Sequence, residues 1–354
     1  MTRADPLRAP PVIPSPLRLR LDARALRDNW RALDRLSGPA ACGAAVKADG
    51  YGLGAPEVAA RLADAGARDF FVSNWREAEA LAPLGLSLSV LHGVREEDMP
   101  AALAGPARPV LNTPDQVRRW RDAGGGACDA MVDTGMNRLG LSVADVAAGL
   151  LDGLPLDMLH SHLACADEDV ALNRRQRDAL AGLAGRTAAR RLSLANSAGI
   201  ALGPDYRFDL TRPGLALYGG VPRPELAPHL ARVVRPEAQV VQRRRVAAGE
   251  GVGYNATWVA PRATEVAILN IGYADGYLRA FSDRGAAAWK GERLPVIGRV
   301  SMDLVALDVD AAPRLQEGDW VGIDFDLPAQ SAATGLSQYE LLTSLGSRYD
   351  RVWS

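Results

Sequence analysis

The chain has 354 residues, 48% of them hydrophobic and 23% charged, with a formal net charge of −1. That length predicts two domains, or one large barrel with an addition; the near-zero charge offers no field to hold a polyanion and argues against nucleic acid; and no apolar run approaches the ~20 residues that a membrane span needs. Three cysteines, Cys42, Cys128 and Cys165, are an odd set without metal-ligand spacing, which suits a reducing cytoplasm and argues against a disulfide framework or a zinc site.

Residues 1–15, rich in Pro and Arg and without an apolar core, read as a flexible leader and not as a secretory signal. Residues 17–21 read as a strand and 22–36 as a helix with Asp22 as its cap. Strand-like runs then recur at 42–46, 69–73, 87–92, 109–111, 127–132, 157–160, 191–194 and 210–217. Helical patterns lie between most of them, at 76–84, 143–151, 172–189 and 113–123, the last opened by Thr113-Pro114, a cap followed by a first-position proline. This alternation predicts a (β/α)8 TIM barrel over 16–232. A doubly wound open sheet is the alternative, but the Gly-x-Gly-x-x-Gly turn that usually opens its first helix is missing. After Pro236, short alternating runs at 238–246, 265–271, 294–300 and 304–309, parted by Gly and Pro turns, predict a C-terminal all-β domain over 233–354, to which the first strand (16–22) could equally belong.

The run 41–46 ends in Lys47, and a glycine-punctuated turn follows it. A lysine at the exit of a buried strand is open to desolvation, which lowers its pKa and makes it a nucleophile toward carbonyl groups; taken alone, it is more often a solvated charge. Of the 41 basic residues only Lys47 and Lys290 are lysines, so a Schiff-base lysine has two candidates, and Lys290 sits in a polar turn. In a barrel the active site gathers at the C-terminal ends of the strands. The polar groups after each strand then form one constellation: Lys47 with Tyr51, the segment Asp133 to Gly140 with Arg138, Ser161-His162, Asn196-Ser197, and Arg212-Pro213-Gly214-Leu215.

Val46-Lys47-Ala48 with Tyr51, Gly52 and Gly54 resembles the pyridoxal-phosphate lysine motif of the alanine racemase family. The other segments just named resemble that family in the same order, as do Gly251 to Tyr254, Ile271 to Gly276, Gly298 to Asp303 and Gln338-Tyr339, so the likeness runs from about residue 40 to 350. It implies a fold-type III enzyme that uses pyridoxal 5'-phosphate to interconvert L- and D-alanine for peptidoglycan synthesis, as a cytoplasmic homodimer whose sites are shared between subunits. Racemisation removes a proton from Cα on one face and returns it on the other, so it needs an electron sink and two bases. By the resemblance the bases are Lys47, which also carries the cofactor, and Tyr254 of the other subunit. A tyrosine with an ordinary pKa of about 10 needs nearby cations to favour its phenolate, and Arg138 and His162 are the candidates. Arg212 matches the arginine that faces the pyridine nitrogen; a guanidinium does not readily give up a proton, which moderates the sink and discourages transamination. Tyr51, Ser197, Gly214, Leu215 and Tyr339 match phosphate ligands, and Arg138, Tyr273 and Met302 match positions around the substrate. Asp167, Arg279 and Arg299 line the outer channel on the same likeness, though surface ion pairs are their plainer reading.

Three positions depart from the pattern. Leu53 stands where many members have His. Met131 stands where many carry a carbamylated lysine that braces the arginine, and Ser193 where some carry a His against the ring-facing arginine. A thioether forms no carbamate, so the Asn137 amide or a bound anion is expected to brace Arg138 instead. A broader amino-acid racemase and a noncatalytic cofactor-binding barrel protein are the competing readings. The second-domain residues Tyr254 and Met302 argue against the latter, and related decarboxylases would show a Cys-Asp pair late in the chain, whereas all three cysteines here precede residue 166.

Overall fold

The computed structural model describes residues 13–354, so most of the leader expected at 1–15 lies outside the described residues. The chain forms two compact units. One comprises 21–234, 326–345 and 353–354; the other comprises 235–325 and 346–352 with the described residues up to Arg20.

The larger unit is a parallel barrel. Strands Asp69–Val72, Ser87–Val90, Arg108–Leu111, Cys128–Asp133, Leu156–His160, Arg191–Ser193 and Leu210–Thr211 pair in chain order. The eighth stave is broken at Gly43: Ala41–Cys42 pairs with Leu210–Thr211 and Ala44–Ala45 with Asp69–Val72, which closes the ring. Strands walled on both sides read as near-continuous apolar runs, and Phe70, Phe71 and Val72 are at most 1% exposed. The helix Ala23–Ser37 shows how the outer layer is specified. Asp22 caps it by accepting from Ala25 N at 2.8 Å, and Leu26, Trp30 and Leu33 recur on one buried stripe. Trp30 also donates Nε1 to the Cys42 carbonyl at 3.3 Å, so Trp30→Ala would cost about 3–5 kcal/mol and loosen the stave that leads to Lys47.

Three elements end earlier than the sequence pattern predicts. The helix expected at 172–189 is Ala171–Ala181, stopped at Gly182 and Gly185, and the one expected at 143–151 is Val143–Ala147, stopped ahead of Gly149. The strand expected at 210–217 is only Leu210–Thr211. Pro213 has no N–H for the ladder, so the chain leaves the sheet at Arg212 and re-forms as a 3-10 turn over Leu215–Tyr218. That early exit puts Arg212 and Gly214 at the barrel mouth. Two helices late in the chain, Leu327–Thr334 and Gln338–Thr343, also belong to this unit; Ser337 and Glu340 cap the second one reciprocally.

The smaller unit is built on an eight-stranded sheet. Its order is Thr264–Leu269, Val305–Asp308, Glu292–Ile297, Ala286–Trp289, Trp320–Ile323, Val234–Val246, Leu17–Leu21 and Asp350–Trp353. The long strand Val234–Val246 pairs with Trp320–Ile323 through its first half and with Thr264–Leu269 through its second, with a register shift between Val240 and Gln242. A bulge there lets one strand serve two partners. Val246, Val252, Ala260, Val266 and Ile297 form its core, with Trp258 packed against them.

Candidate active site

A cavity of about 700 Å³ opens at the C-terminal ends of the barrel strands. It is lined by Lys47, Tyr51, Arg138, His162, Ser197, Arg212, Gly214, Leu215 and Tyr339, among others. Nine of the residues singled out in the sequence therefore meet in one place.

Lys47 stands at the head of a left-handed turn. Ala48, Asp49 and Gly50 have φ of 53°, 54° and 62°, and Tyr51 and Gly52 follow at 56° and 84°. Each non-glycine residue in that conformation costs about 1–2 kcal/mol. The turn is held by the bonds of Gly50 N to Val46 O and of Gly52 N to Ala48 O, both 2.9 Å. Glu77 accepts from Ala48 N at 2.9 Å, and Asp49 accepts from Ala55 N at 2.8 Å. Four bonds at about 1 kcal/mol each offset the strain. At Gly52 a Cβ would come within 2.6 Å of Leu342 O, so only glycine lets the helix that carries Tyr339 approach the turn. The Lys47 amine is half-buried and is held below the usual lysine range, first by desolvation and then by the Arg138 and Arg212 charges, against Glu77.

Arg212 is 6% exposed. It donates Nη1 to Ser193 Oγ and Nη2 to the Ser161 carbonyl at 2.6 Å, and Ser193 Oγ in turn donates to Leu210 O at 2.6 Å. The serine found at the departure from the family pattern is thus a direct brace for the arginine. Burial draws Arg212 down to about 10, which still leaves it charged at neutral pH. His162 is not the cation that the sequence reading expected. Desolvation and the nearby Arg212, Arg138 and Lys47 charges hold it down at about 3, so it is a neutral imidazole. Asp133 is the one acidic residue in the lining, and backbone N–H groups of Gly135, Met136 and Arg138 occupy its carboxylate at 2.8, 2.9 and 3.1 Å. The cavity therefore presents three cations with little to neutralise them, a field that suits an anionic occupant.

The cradle for such an occupant lies between strand ends. Ser197 Oγ accepts from Gly214 N at 2.9 Å and from Ala216 N at 3.2 Å. A Cβ at Gly214 would sit 2.1 Å from Tyr51 Oη, so glycine is what allows the phenol and this backbone to converge. Tyr51 stacks on Tyr218 at 4.5 Å, and the Tyr339 ring centre lies 6.3 Å from that of Tyr51. Hydroxyls and backbone N–H groups converging beside a lysine fit a phosphorylated aldehyde cofactor.

Arg138 lies in the exposed part of the lining, to which buried Met131 also contributes. Among the described residues its guanidinium makes no hydrogen bond to Asn137 and no ion pair, so the expected Asn137 brace is not formed.

Tyr254, Tyr273 and Met302 belong to the smaller unit, where the segments carrying Tyr273 and Met302 are joined. Tyr273 N donates to Ser301 O and Ala274 N to Met302 O, both at 3.0 Å, and the Gly253 backbone abuts Arg299. Tyr254 is 64% and Met302 53% exposed. Arg279 lies over the Tyr273 ring at 5.3 Å.

The sequence reading missed the residues that hold the loop after the Leu156–His160 strand. From the helix Ala171–Ala181, buried Gln176 accepts from Ala164 N and donates to the His162 carbonyl, both at 2.9 Å. Asn173 donates to Cys165 O and Glu168 O at 2.9 and 2.8 Å. Two amides at i and i+3 on the core-facing side of a polar helix were the available signal. Among the described residues no group of His, Cys, Asp or Glu is arranged to hold a metal, and no helix is long and apolar enough to cross a membrane.

Comparison with known proteins gives a consistent result. The profile described as "Alanine racemase, N-terminal domain" matches residues 21–222, and that described as "Alanine racemase, C-terminal domain" matches 233–353. An alanine racemase of Acidiphilium cryptum is 43% identical over 94% of this chain and 98% of its own length. A biosynthetic alanine racemase of Agrobacterium fabrum is 38% identical over 96% of this chain and 94% of its own. Among solved structures, the alanine racemase of Bartonella henselae with covalently bound pyridoxal phosphate superposes with a TM-score of 0.88 at 34% identity, over 96% of this chain and 100% of that one.

Proposed function

The chain belongs to the alanine racemase family, and from that premise we propose how its residues interconvert L- and D-alanine. Bound pyridoxal phosphate supplies the electron sink that makes the alanine Cα–H acidic. Lys47 is the residue that would hold it, with Tyr51, Ser197, Tyr339 and the Gly214–Leu215 backbone on its phosphate and Arg212 at its ring nitrogen. Freed by substrate, the Lys47 amine takes or returns the Cα proton on one face. Desolvation, with the Arg138 and Arg212 charges, lowers its pKa from the usual lysine range, the direction that a base needs.

The partner subunit's Tyr254 serves the opposite face in a homodimer. The exposure of Tyr254 and of Met302, both large and apolar, supports a second copy as their cover. Arg138 supplies the positive charge that favours the phenolate, and His162, being neutral, serves as a hydrogen-bond partner to it. Arg138 and the Met302 backbone receive the substrate carboxylate, and Tyr273 narrows the entrance, with Asp167, Arg279 and Arg299 farther out. The D-alanine formed would feed peptidoglycan synthesis in the cytoplasm.

The observation that carries this reading is that the one lysine in the cavity lining stands among cations and neutral donors, with its amine partly desolvated. The test is racemisation measured over a panel of amino acids with added cofactor. Alanine is expected to be the best substrate; faster turnover of a bulkier side chain would replace the reading with a broader racemase.

A further inference from the structure

Beneath the cavity the barrel interior carries a column of alternating charge. At the N-terminal ends of the strands Arg191 donates to both oxygens of Asp69 at 2.9 and 2.8 Å, and to Asp157 at 2.7 Å. Arg108 stands 3.6 Å from Asp157 and 3.5 Å from Asp129. Asp129 accepts from Ser89 Oγ at 2.6 Å and lies 3.6 Å from His160 Nε2. Asp129 and His160 are both 0% exposed.

The column stops one step short of Arg212, whose two hydrogen bonds go to neutral oxygens. A buried cation with neutral acceptors alone is costly unless an anion is within reach. His160 occupies the interval. It precedes Ser161 in the chain and is paired with Ser193 across the parallel strands, so the two residues that hold Arg212 are its direct neighbours. Its ring meets Phe71 edge-on at 5.8 Å, and the Arg212 guanidinium carbon lies 5.9 Å from the centre of that same ring. Four buried polar atoms cluster here without a hydrogen-bond partner: both His160 nitrogens, Asp129 Oδ1 and Arg108 Nε. Such orphans are rare in native cores and each calls for a reason.

We propose that Asp129 is the counter-ion of Arg212 and acts through the His160 imidazole, which makes Asp129 and His160 positioning residues for the cation that meets the cofactor. The inference rests on the reading that Arg212 faces the cofactor ring. Burial keeps His160 below its usual range in spite of Asp129, so the ring is neutral. A neutral imidazole offers one donor and one acceptor, and with the donor toward Asp129 its dipole carries the negative end toward Arg212. Asp129 itself stays ionised: burial pushes it up, but His160, Arg108 and Ser89 outweigh that and hold it below the ordinary carboxylate range.

The test uses holoenzyme of His160→Phe, His160→Gln and Asp129→Asn, with Arg212→Gln as the reference. The readouts are the visible absorption spectrum of the resting enzyme, kcat and KM for alanine, and the thermal midpoint. His160→Phe keeps the ring packed on Phe71 and removes two orphaned nitrogens, so its midpoint should hold or rise. Its spectrum should nevertheless move toward that of Arg212→Gln, with kcat down roughly 3- to 30-fold and KM little changed. His160→Gln, which restores a donor and an acceptor, should recover the spectrum and part of kcat, and Asp129→Asn should resemble His160→Phe. A wild-type spectrum and kcat in His160→Phe overturn the proposal even if Asp129→Asn fails to fold. If Arg212→Gln also leaves the spectrum unchanged, the placement of Arg212 is what fails, and the relay has nothing to act on.

Discussion

Tyr218 stacks on Tyr51 with ring centroids 4.5 Å apart and planes 23° from parallel, while its hydroxyl donates to the Ala45 carbonyl at 2.8 Å. One buried side chain thus fixes both the strand that leads into Lys47 and the phenol beyond it. Tyr218→Phe keeps the stack and leaves the carbonyl without this donor in the core. A loss of about 1–2 kcal/mol is expected, read as a lower urea midpoint with unchanged slope. Faster cofactor loss on dialysis should accompany it. An unchanged midpoint would show that Ala45 is satisfied in another way.

Borohydride reduction of holoenzyme should fix the cofactor to the peptide bearing Lys47. Lys290, the other lysine, is exposed with its Nζ 4.3 Å from the Trp289 ring centre. Lys47→Ala removes anchor and base together, so activity should drop by more than the ~10²–10⁴-fold expected for an acid–base group. Label recovered on Lys290 would sink the assignment.

Tyr254→Phe should suppress Cα-proton exchange from one enantiomer far more than from the other. Inactive Lys47→Ala and Tyr254→Phe subunits, once mixed, should regain activity, because one of the two sites in the mixed dimer keeps both bases. Equal loss for both enantiomers, or no recovery after demonstrated subunit exchange, would argue against a shared two-base site.

His162 gives the protein an acid limb with a defined sign. Its folded pKa of about 3 lies below the ordinary 6.5, first through desolvation and then through Arg212, Arg138 and Lys47. Below pH 6.5 the unfolded chain binds a proton that the folded protein refuses, so stability falls as pH drops toward 3 and is flat above 6.5. At pH 5 the loss is about 2 kcal/mol. Urea midpoints at pH 7 and pH 5 should differ by less in His162→Gln than in the parent; the same difference in both would mean that His162 titrates normally.

The left-handed turn should respond to glycine. Ala48→Gly keeps the backbone donor used by Glu77 and removes Cβ strain at φ 53°, so stability should rise by roughly 1 kcal/mol. A fall would mean that the Ala48 methyl contributes packing worth more than the strain it causes.

The barrel and most of the cavity lining were legible in the sequence because both leave local marks. Buried parallel strands read as apolar runs, and the groups after each run converge by topology, which is how Lys47, His162, Ser197 and Arg212 could be named together. The braces were not legible. Ser193 looks like any small polar residue until Arg212 is seen to donate to it, and Gln176 reaches the His162 carbonyl from a helix whose pattern only says "polar". The charged column was legible in part: Asp69, Arg108 and Arg191 each open a strand, and Asp129 and Asp157 stand second in theirs, but which acid meets which base depends on stave order. The helix ends at 181 and 147 are set by glycines that interrupt an otherwise amphipathic pattern, Gly182 with Gly185 and Gly149.

The strand Leu17–Leu21 is made early and paired late. Its neighbours in the sheet, Val234–Val246 and Asp350–Trp353, follow it by more than two hundred residues. At ribosomal speeds of about 5–20 residues per second, that is a wait of roughly 10–40 s with an apolar β-segment unmatched. Leu17, Leu19 and Leu21 would make such a segment prone to clump with other emerging chains. Arg18 and Arg20, which in the finished sheet reach Glu237, with Arg18 also lying 3.9 Å from the Trp320 ring centre, sit between the leucines. During synthesis those same arginines act as gatekeepers. Replacing both with threonine would leave the alternation of the strand intact yet lower the soluble yield in the cell more than it lowers the stability of the purified protein.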